Sequence, residues 1–200
     1  ALLIAGTRVS IPASLAVAGA LAYVQWPVIE SQTVIAWLGA VLLVSLLRAG
    51  LAIAYPRALA QDDPRWLLAL MAGIILAGAV WGAGAWVLYP PDAVAHQACL
   101  GVLVAGLTAG AVTSLSASLA ATLAFLVLSL LPLSIRFLAS DQEVPFALGV
   151  LTLLFMVVTA QGARRLNTSV LQSIRLRLQS DDQLTALQVS EERASKLAMV

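Results

Sequence analysis

Six runs of about 20 apolar residues occupy most of this 200-residue chain. They cover residues 9–26, 33–54, 66–89, 95–112, 119–138 and 144–161. A helix of about 20 residues crosses a hydrocarbon core of about 30 Å, because each residue adds about 1.5 Å. Each run is apolar nearly all round, whereas a surface helix of a soluble protein has a polar face. The sequence therefore predicts an all-α, polytopic membrane helix bundle with about six transmembrane helices.

The composition excludes several other classes of protein. The chain is 61% hydrophobic and 10% charged, with a mean hydropathy of +0.96. A soluble domain is about 45–50% apolar and about 25% charged, so too little polar surface is present to cover a large soluble all-α core. The net charge of +1 excludes a nucleic-acid partner, which requires a clustered basic excess. Cys99 has no second cysteine to form a disulfide.

The arginines lie mainly on one side of the predicted bundle. Those of the ends and of one connection are Arg8, Arg48, Arg57, Arg65, Arg164 and Arg165. The opposite side carries Glu30, Asp92, Asp141 and Glu143, and its one basic residue is Arg136. Because basic loops stay in the cytoplasm and the number of predicted spans is even, we expect both termini to be cytoplasmic. Arg136 is expected to extend to the membrane interface or to pair with Asp141 or Glu143.

Two G-x-x-x-G pairs predict close helix packing. Gly78 and Gly82 lie in the third run, and Gly106 and Gly110 lie in the fourth. Small residues one turn apart let helix backbones approach closely in lipid. The third and fourth spans are therefore expected to touch through these glycines, with a dimer face as the alternative. The uncharged connection around residues 110–120 leaves open a re-entrant hairpin in place of two full spans.

Trp81 and His96 are the candidates for contact with a ligand. Trp81 lies deeper in its run than the other tryptophans, although packing is the role that its position favours. His96 is the sole histidine, and without a second metal-ligating neighbour it predicts no metal site. No catalytic motif and no cofactor-binding motif is present. Arg48 falls near a span end, and a bundle interior nearly free of ionisable residues argues against an ion-coupled carrier.

Residues 162–200 differ in composition from the runs at 1–161 and predict a cytoplasmic helix. Leu171, Ile174 and Leu178 fit a heptad frame, as do Leu184, Leu187 and Ala194. A dimeric coiled coil and a solvated amphipathic helix both fit this pattern. The frame slips by one residue at Ser180, Asp181, Asp182 and Gln183. This tetrapeptide has the form of a capping box, so we expect two helical segments that meet at a signal-relaying joint.

The layout resembles the N-terminal membrane-associated sensor region of bacterial signalling proteins. The resemblance rests on Leu46-Leu47-Arg48, Arg65-Trp66, Trp81-Gly82, Arg164-Arg165-Leu166, Arg175-Leu176-Arg177, Ser190-Glu191-Glu192-Arg193 and Leu197-Ala198. The last two are similar to the lead-in helix of a PAS domain. The resemblance implies a sensory and dimerising input domain in the bacterial inner (plasma) membrane. It also implies an output domain beyond Val200 with PAS plus GGDEF or EAL modules for cyclic-di-GMP turnover. The input domain of a histidine kinase is the alternative.

Two further classes stay open. One is a small transporter or exporter, and the other is a scaffold that only localises and dimerises an output domain. This segment has no catalytic site of its own, whereas the resemblance implies that the full protein is an enzyme. The partners expected are membrane lipid, a second copy of the chain, the output domain of the same chain, and a small or lipophilic ligand.

Overall fold

A computed structural model describes residues 2–55 and 64–198, with side chains for residues 10–55 and 65–173 and for Arg175, Leu176 and Gln179. The helices are α1 (Leu2–Gln25), α2 (Ser31–Ala54), α3 (Pro64–Val87), α4 (Val94–Ser114), α5 (Leu119–Leu138) and α6 (Glu143–Ala198). No strand occurs among the described residues. The prediction of an all-α chain with six helices is confirmed for this part of the chain.

Five helices are long and apolar enough to cross a membrane. They are Ser31–Ala54, Arg65–Val87, Val94–Ser114, Leu119–Leu138 and Glu143–Ser173. The apolar stretch Ser10–Gln25 of α1 is shorter, so the sixth crossing stays a prediction. Large apolar side chains face outward, among them Leu43 at 60% exposure and Val102 at 70%. Such an apolar outer surface suits contact with lipid rather than with water.

The bundle is arranged around α5, which packs against α3, α4 and α6. Two of its buried hydroxyls bond to their own helix, since Ser129 donates to the Phe125 carbonyl at 2.7 Å and Ser134 to the Leu130 carbonyl at 2.9 Å. These bonds let polar side chains lie in an apolar interior at low cost. α1 packs on α2 and α4, and α2 also packs on α3.

The connection between α4 and α5 consists of residues 115–118. α4 has 21 residues and α5 has 20, so each is long enough to cross a membrane, as two full spans require. The side chain of Ser118 accepts a hydrogen bond from the Ala121 N–H at 3.4 Å and caps α5. Thr122 donates to the Leu115 carbonyl at 2.9 Å, which fixes the loop to the start of α5.

The tail continues the last apolar helix without a break. α6 is one helix of 56 residues, about 84 Å long at about 1.5 Å per residue. The prediction of two segments that meet at Ser180 is wrong, because the helix passes through Ser180, Asp181, Asp182 and Gln183. In a continuous helix their N–H groups bond to carbonyls four residues earlier, so a capping box has no free N–H to satisfy. Their side chains lie outside the described residues, and their part in signal relay stays a prediction.

Candidate functional site

A cavity of about 240 Å³ lies between α1, α2 and α4, near the start of α5. Its wall consists of Ser10, Ala13, Ser14, Val17, Arg48, Gly106, Leu107, Gly110, Ala111, Thr113, Ser114, Leu115 and Phe125. The wall is mainly apolar and carries a single charged side chain, that of Arg48. This is the common composition of a ligand pocket, in which a few polar groups orient an otherwise apolar molecule.

Arg48 lies inside the bundle, where 7% of it is exposed. Its guanidinium Nη2 donates to the Ser10 hydroxyl at 3.1 Å, and its aliphatic stem lies over Gly73 of α3. No ion pair joins it to a carboxylate among the described side chains. The sequence places Arg48 near a span end, and the structure adds that its side chain is buried inside the bundle. Arginines within transmembrane segments are rare and usually face the bundle interior or a cavity, which marks this residue as a functional candidate.

Gly106 and Gly110 border the cavity and do not pack against another helix. A Cβ built on either glycine meets no atom within 4 Å. The empty space beside α4 is therefore part of the cavity. The sequence could show that α4 has a face of small residues, but not that the face borders a void.

Gly78 and Gly82 pack on α5, so their predicted contact with the fourth span is corrected. A Cβ at Gly78 would lie 3.2 Å from the Phe125 Cα, and one at Gly82 would collide with the Leu128 carbonyl oxygen. Consecutive helices are usually neighbours, but here α4 crosses to α1 and leaves the small face of α3 to α5.

Trp81 lies behind the cavity wall and is not part of it. It is 2% exposed, and its indole N–H donates to the Ser14 hydroxyl at 3.1 Å. Its ring meets the edge of Trp37 at 5.2 Å between centroids. Trp37 in turn donates to the Val80 carbonyl at 3.1 Å and lies directly on Gly84. The arrangement gives Trp81 a packing role and fixes the position of Ser14, which does face the cavity.

His96 lies near the start of α4, at the end of the bundle away from the cavity. The hydrogen bond that it makes to another helix comes from its backbone carbonyl. Its carbonyl accepts from the buried Gln25 amide at 3.4 Å, and the same amide donates to the Leu88 carbonyl at 3.0 Å. Gln97 donates to the carbonyls of Pro90 and Pro91 at 2.7 and 3.0 Å. The two glutamines hold the α3–α4 connection in place. A ligand-binding role for the His96 side chain stays a prediction.

Arg136 lies against aromatic rings rather than beside an acid. Its Cζ is 4.7 Å from the centre of the Tyr89 ring and 5.5 Å from that of Trp86. The negative faces of these rings attract the cation. The predicted pairing with Asp141 or Glu143 is replaced by this cation–π contact, because α5 ends next to the end of α3.

The tail is joined to the bundle by Asn167. Its side-chain amide donates to the Ser116 carbonyl in the α4–α5 loop at 2.7 Å. That loop follows Thr113 and Ser114 of the cavity wall and contains Leu115, which also lines the cavity. The sequence reasoning missed this contact, although an amide just after the last apolar run was a usable signal.

No group of three or more His, Cys, Asp or Glu residues is placed to hold a metal ion among the described residues. No family model matches the chain, and no curated protein or solved structure matches it either. The functional argument therefore rests on the cavity with its buried arginine and on the contact between α6 and the loop next to the cavity wall.

Proposed function

We propose that this chain is the membrane-embedded input domain of a bacterial signal-transduction protein. A stimulus in the bundle would be transmitted through α6 to a cytoplasmic output domain of the same chain. The observation that carries the proposal is the Asn167–Ser116 hydrogen bond, since it joins the loop that follows the cavity wall to a helix that continues to Ala198. A continuous helix can carry a displacement along its length because each residue is hydrogen-bonded to the one four positions earlier, with no flexible loop between them.

The proposal includes a dimer through the tails. Leu171 is 46% exposed on a part of α6 that extends past the bundle, and it belongs to the heptad frame of the sequence. An apolar heptad face on an exposed helix is buried when two copies pair. The arginine distribution supports an inner-membrane location with both ends cytoplasmic.

The output domain is proposed from the family resemblance alone. It would contain PAS plus GGDEF or EAL modules for cyclic-di-GMP turnover, or the catalytic domains of a histidine kinase. The relay residues Ser180, Asp181, Asp182 and Gln183 would lie between the bundle and that domain. They would act within one continuous helix and not at a break.

The test compares the cellular output of the full-length protein with that of two variants. In one, residues 1–161 are replaced by an unrelated dimeric membrane anchor, and in the other Asn167→Ala removes the contact with the loop. Ser169→Ala is the matched control, because the Ser169 hydroxyl bonds only to the carbonyl of Arg165 in its own helix. We expect altered cyclic-di-GMP levels in the chimera and in Asn167→Ala, but not in Ser169→Ala. Unchanged regulation in the chimera would favour a scaffold that senses nothing.

A small transporter is the second candidate, and the cavity with Arg48 is the observation that favours it. Transporters bind their substrates at polar groups within the bilayer. Uptake of a small anion into liposomes that contain the purified protein, absent in Arg48→Gln, would support this candidate over the sensor.

A further inference from the structure

We infer that the cavity beside Arg48 binds an amphiphile with one anionic head, a carboxylate or a phosphate, attached to an apolar chain. This inference concerns binding alone and holds whether or not the tail relays a signal. It follows from the charge, the wall, the opening and the volume of the cavity.

The positive charge at the cavity lacks a countercharge within the described side chains. Arg48 carries five N–H donors, and the contact that the structure gives to its guanidinium is with the Ser10 hydroxyl. A buried charge is normally paired with an opposite charge. A carboxylate or phosphate oxygen in the cavity would supply that pairing with short, charge-assisted hydrogen bonds.

The second hydrogen-bond donor at the cavity, after the guanidinium of Arg48, is the hydroxyl of Ser14, one helical turn from Ser10. The oxygen of Ser14 accepts from Trp81 at 3.1 Å, which leaves the Ser14 O–H to donate. Thr113 and Ser114 instead donate to the Gly110 carbonyl, at 2.8 and 3.2 Å, and so satisfy their own helix. The polar end of the cavity is therefore formed by Arg48 and the two serines of α1.

The rest of the wall suits a hydrocarbon chain. Val17, Leu107, Ala111, Leu115 and Phe125 surround the space with apolar surface. An inorganic anion would leave this surface without contacts, and only a molecule with an apolar part fills it. The single guanidinium also selects for one anionic head rather than for several.

The cavity is open, and its volume limits the part of a molecule that it encloses. Ala13, Gly106 and Gly110 in the wall are exposed, so an amphiphile in the bilayer can enter between α1 and α4. The volume of about 240 Å³ accommodates about eight non-hydrogen atoms if each takes about 30 Å³, the share of a water molecule. A head and a short length of chain fit inside, and a longer chain extends into lipid.

The experiment measures the thermal unfolding of the full chain in phosphatidylcholine nanodiscs with three added probes. Octanoate carries the head and the chain, octanamide has the same shape without charge, and inorganic phosphate has charge without a chain. At about ten times its dissociation constant, octanoate should raise the melting temperature by about 3–6 °C. Octanamide and phosphate should raise it by less than half as much. Equal shifts with phosphate would overturn the requirement for an apolar chain.

A second set of nanodiscs that contain phosphatidylglycerol separates a lipid headgroup from a free amphiphile. The quantity compared is the difference in melting temperature between the wild type and Arg48→Gln, because lipid composition alone changes both. If the difference between the wild type and Arg48→Gln is larger in phosphatidylglycerol than in phosphatidylcholine, the lipid headgroup is a source of the anion. A shift with octanoate alone identifies a free carboxylate, and no shift in either arm overturns the proposal.

Three variants locate the binding. Arg48→Gln should weaken octanoate binding at least about tenfold, since it removes a charge-assisted hydrogen bond. Gly110→Leu keeps the guanidinium but fills the cavity, and should abolish the octanoate shift even if Arg48→Gln fails to fold. Gly39→Leu is the control, because Gly39 is exposed, has open space beside it and lies outside the cavity wall. An undiminished shift in Gly110→Leu, or a lost shift in Gly39→Leu, would contradict binding at this site.

Discussion

Gly82 and Pro132 form one contact between α3 and α5. Proline has no N–H, so Pro132 leaves the Leu128 carbonyl, four residues earlier in α5, without its helical donor. The Gly82 backbone lies directly against that carbonyl oxygen. A Cα–H group at this point gives the oxygen a weak hydrogen bond. The absence of a side chain at Gly82 is thus tied to the missing N–H at Pro132.

We expect Gly82→Ala to lower the free energy of unfolding by about 1–3 kcal/mol, because the added Cβ forces α3 away from α5. Gly106→Ala is the matched control, since a Cβ there meets no atom within 4 Å. It should be neutral or stabilise the helix by up to about 1 kcal/mol, as alanine favours the helix over glycine. Thermal unfolding in detergent checks both variants. Equal melting of the two would show that α3 and α5 do not approach closely at Gly82.

At the scale of helices, the contact between α6 and the α4–α5 loop rests on one side chain. We expect Asn167→Ala to cost about 0.5–1.5 kcal/mol, the usual net value of one hydrogen bond. More specifically, it should speed hydrogen exchange at residues 115–118, while exchange in α2 stays the same. Ser169→Ala, whose hydroxyl bonds within α6, is the control. Unchanged exchange in the loop of Asn167→Ala would mean that the loop is held without α6.

The sequence predicted where the helices lie better than which helices touch. The fifth run was predicted at residues 119–138, and α5 is Leu119–Leu138. The second run was predicted at 33–54, and α2 is Ser31–Ala54. Hydrophobic length is a local property, so the bounds of a span can be read from the chain. A face of small residues can also be read from the chain, but the sequence does not show which helix packs on it. In the structure α3 packs on α5 instead of α4.

The site was harder to predict than the fold for a related reason. The run that contains Arg48 is apolar on all sides, so no polar face distinguishes its inner from its outer surface. Only the packing of α1 and α3 around α2 shows that Arg48 is buried beside Ser10. The heptad slip at Ser180 likewise predicted a break that the structure does not have. The slip is a local pattern, whereas helix continuity is decided by the whole of α6.

For the whole molecule, the orientation in the membrane is tested by labelling in intact cells. In a Cys99→Ala background, which removes an exposed thiol, Asp92→Cys should react with an impermeant maleimide from the periplasm. Asp62→Cys should react only after the membrane is permeabilised. Asp92 lies in the connection between α3 and α4 and is exposed. The reverse pattern would contradict the cytoplasmic placement of both termini and the receptor proposal built on it.

The length of α6 past its contact with the loop has a mechanical consequence. From Thr168 to Ala198 the helix has no break, so this part extends for about 46 Å at about 1.5 Å per residue. If the proposed relay operates, this part is a lever whose fulcrum is the contact at Asn167. A tilt of only about 6° at the fulcrum moves the far end by about 5 Å, about one helical turn. A tilt of α6 against the bundle would therefore reach Ala198 as a displacement about the size of a side chain.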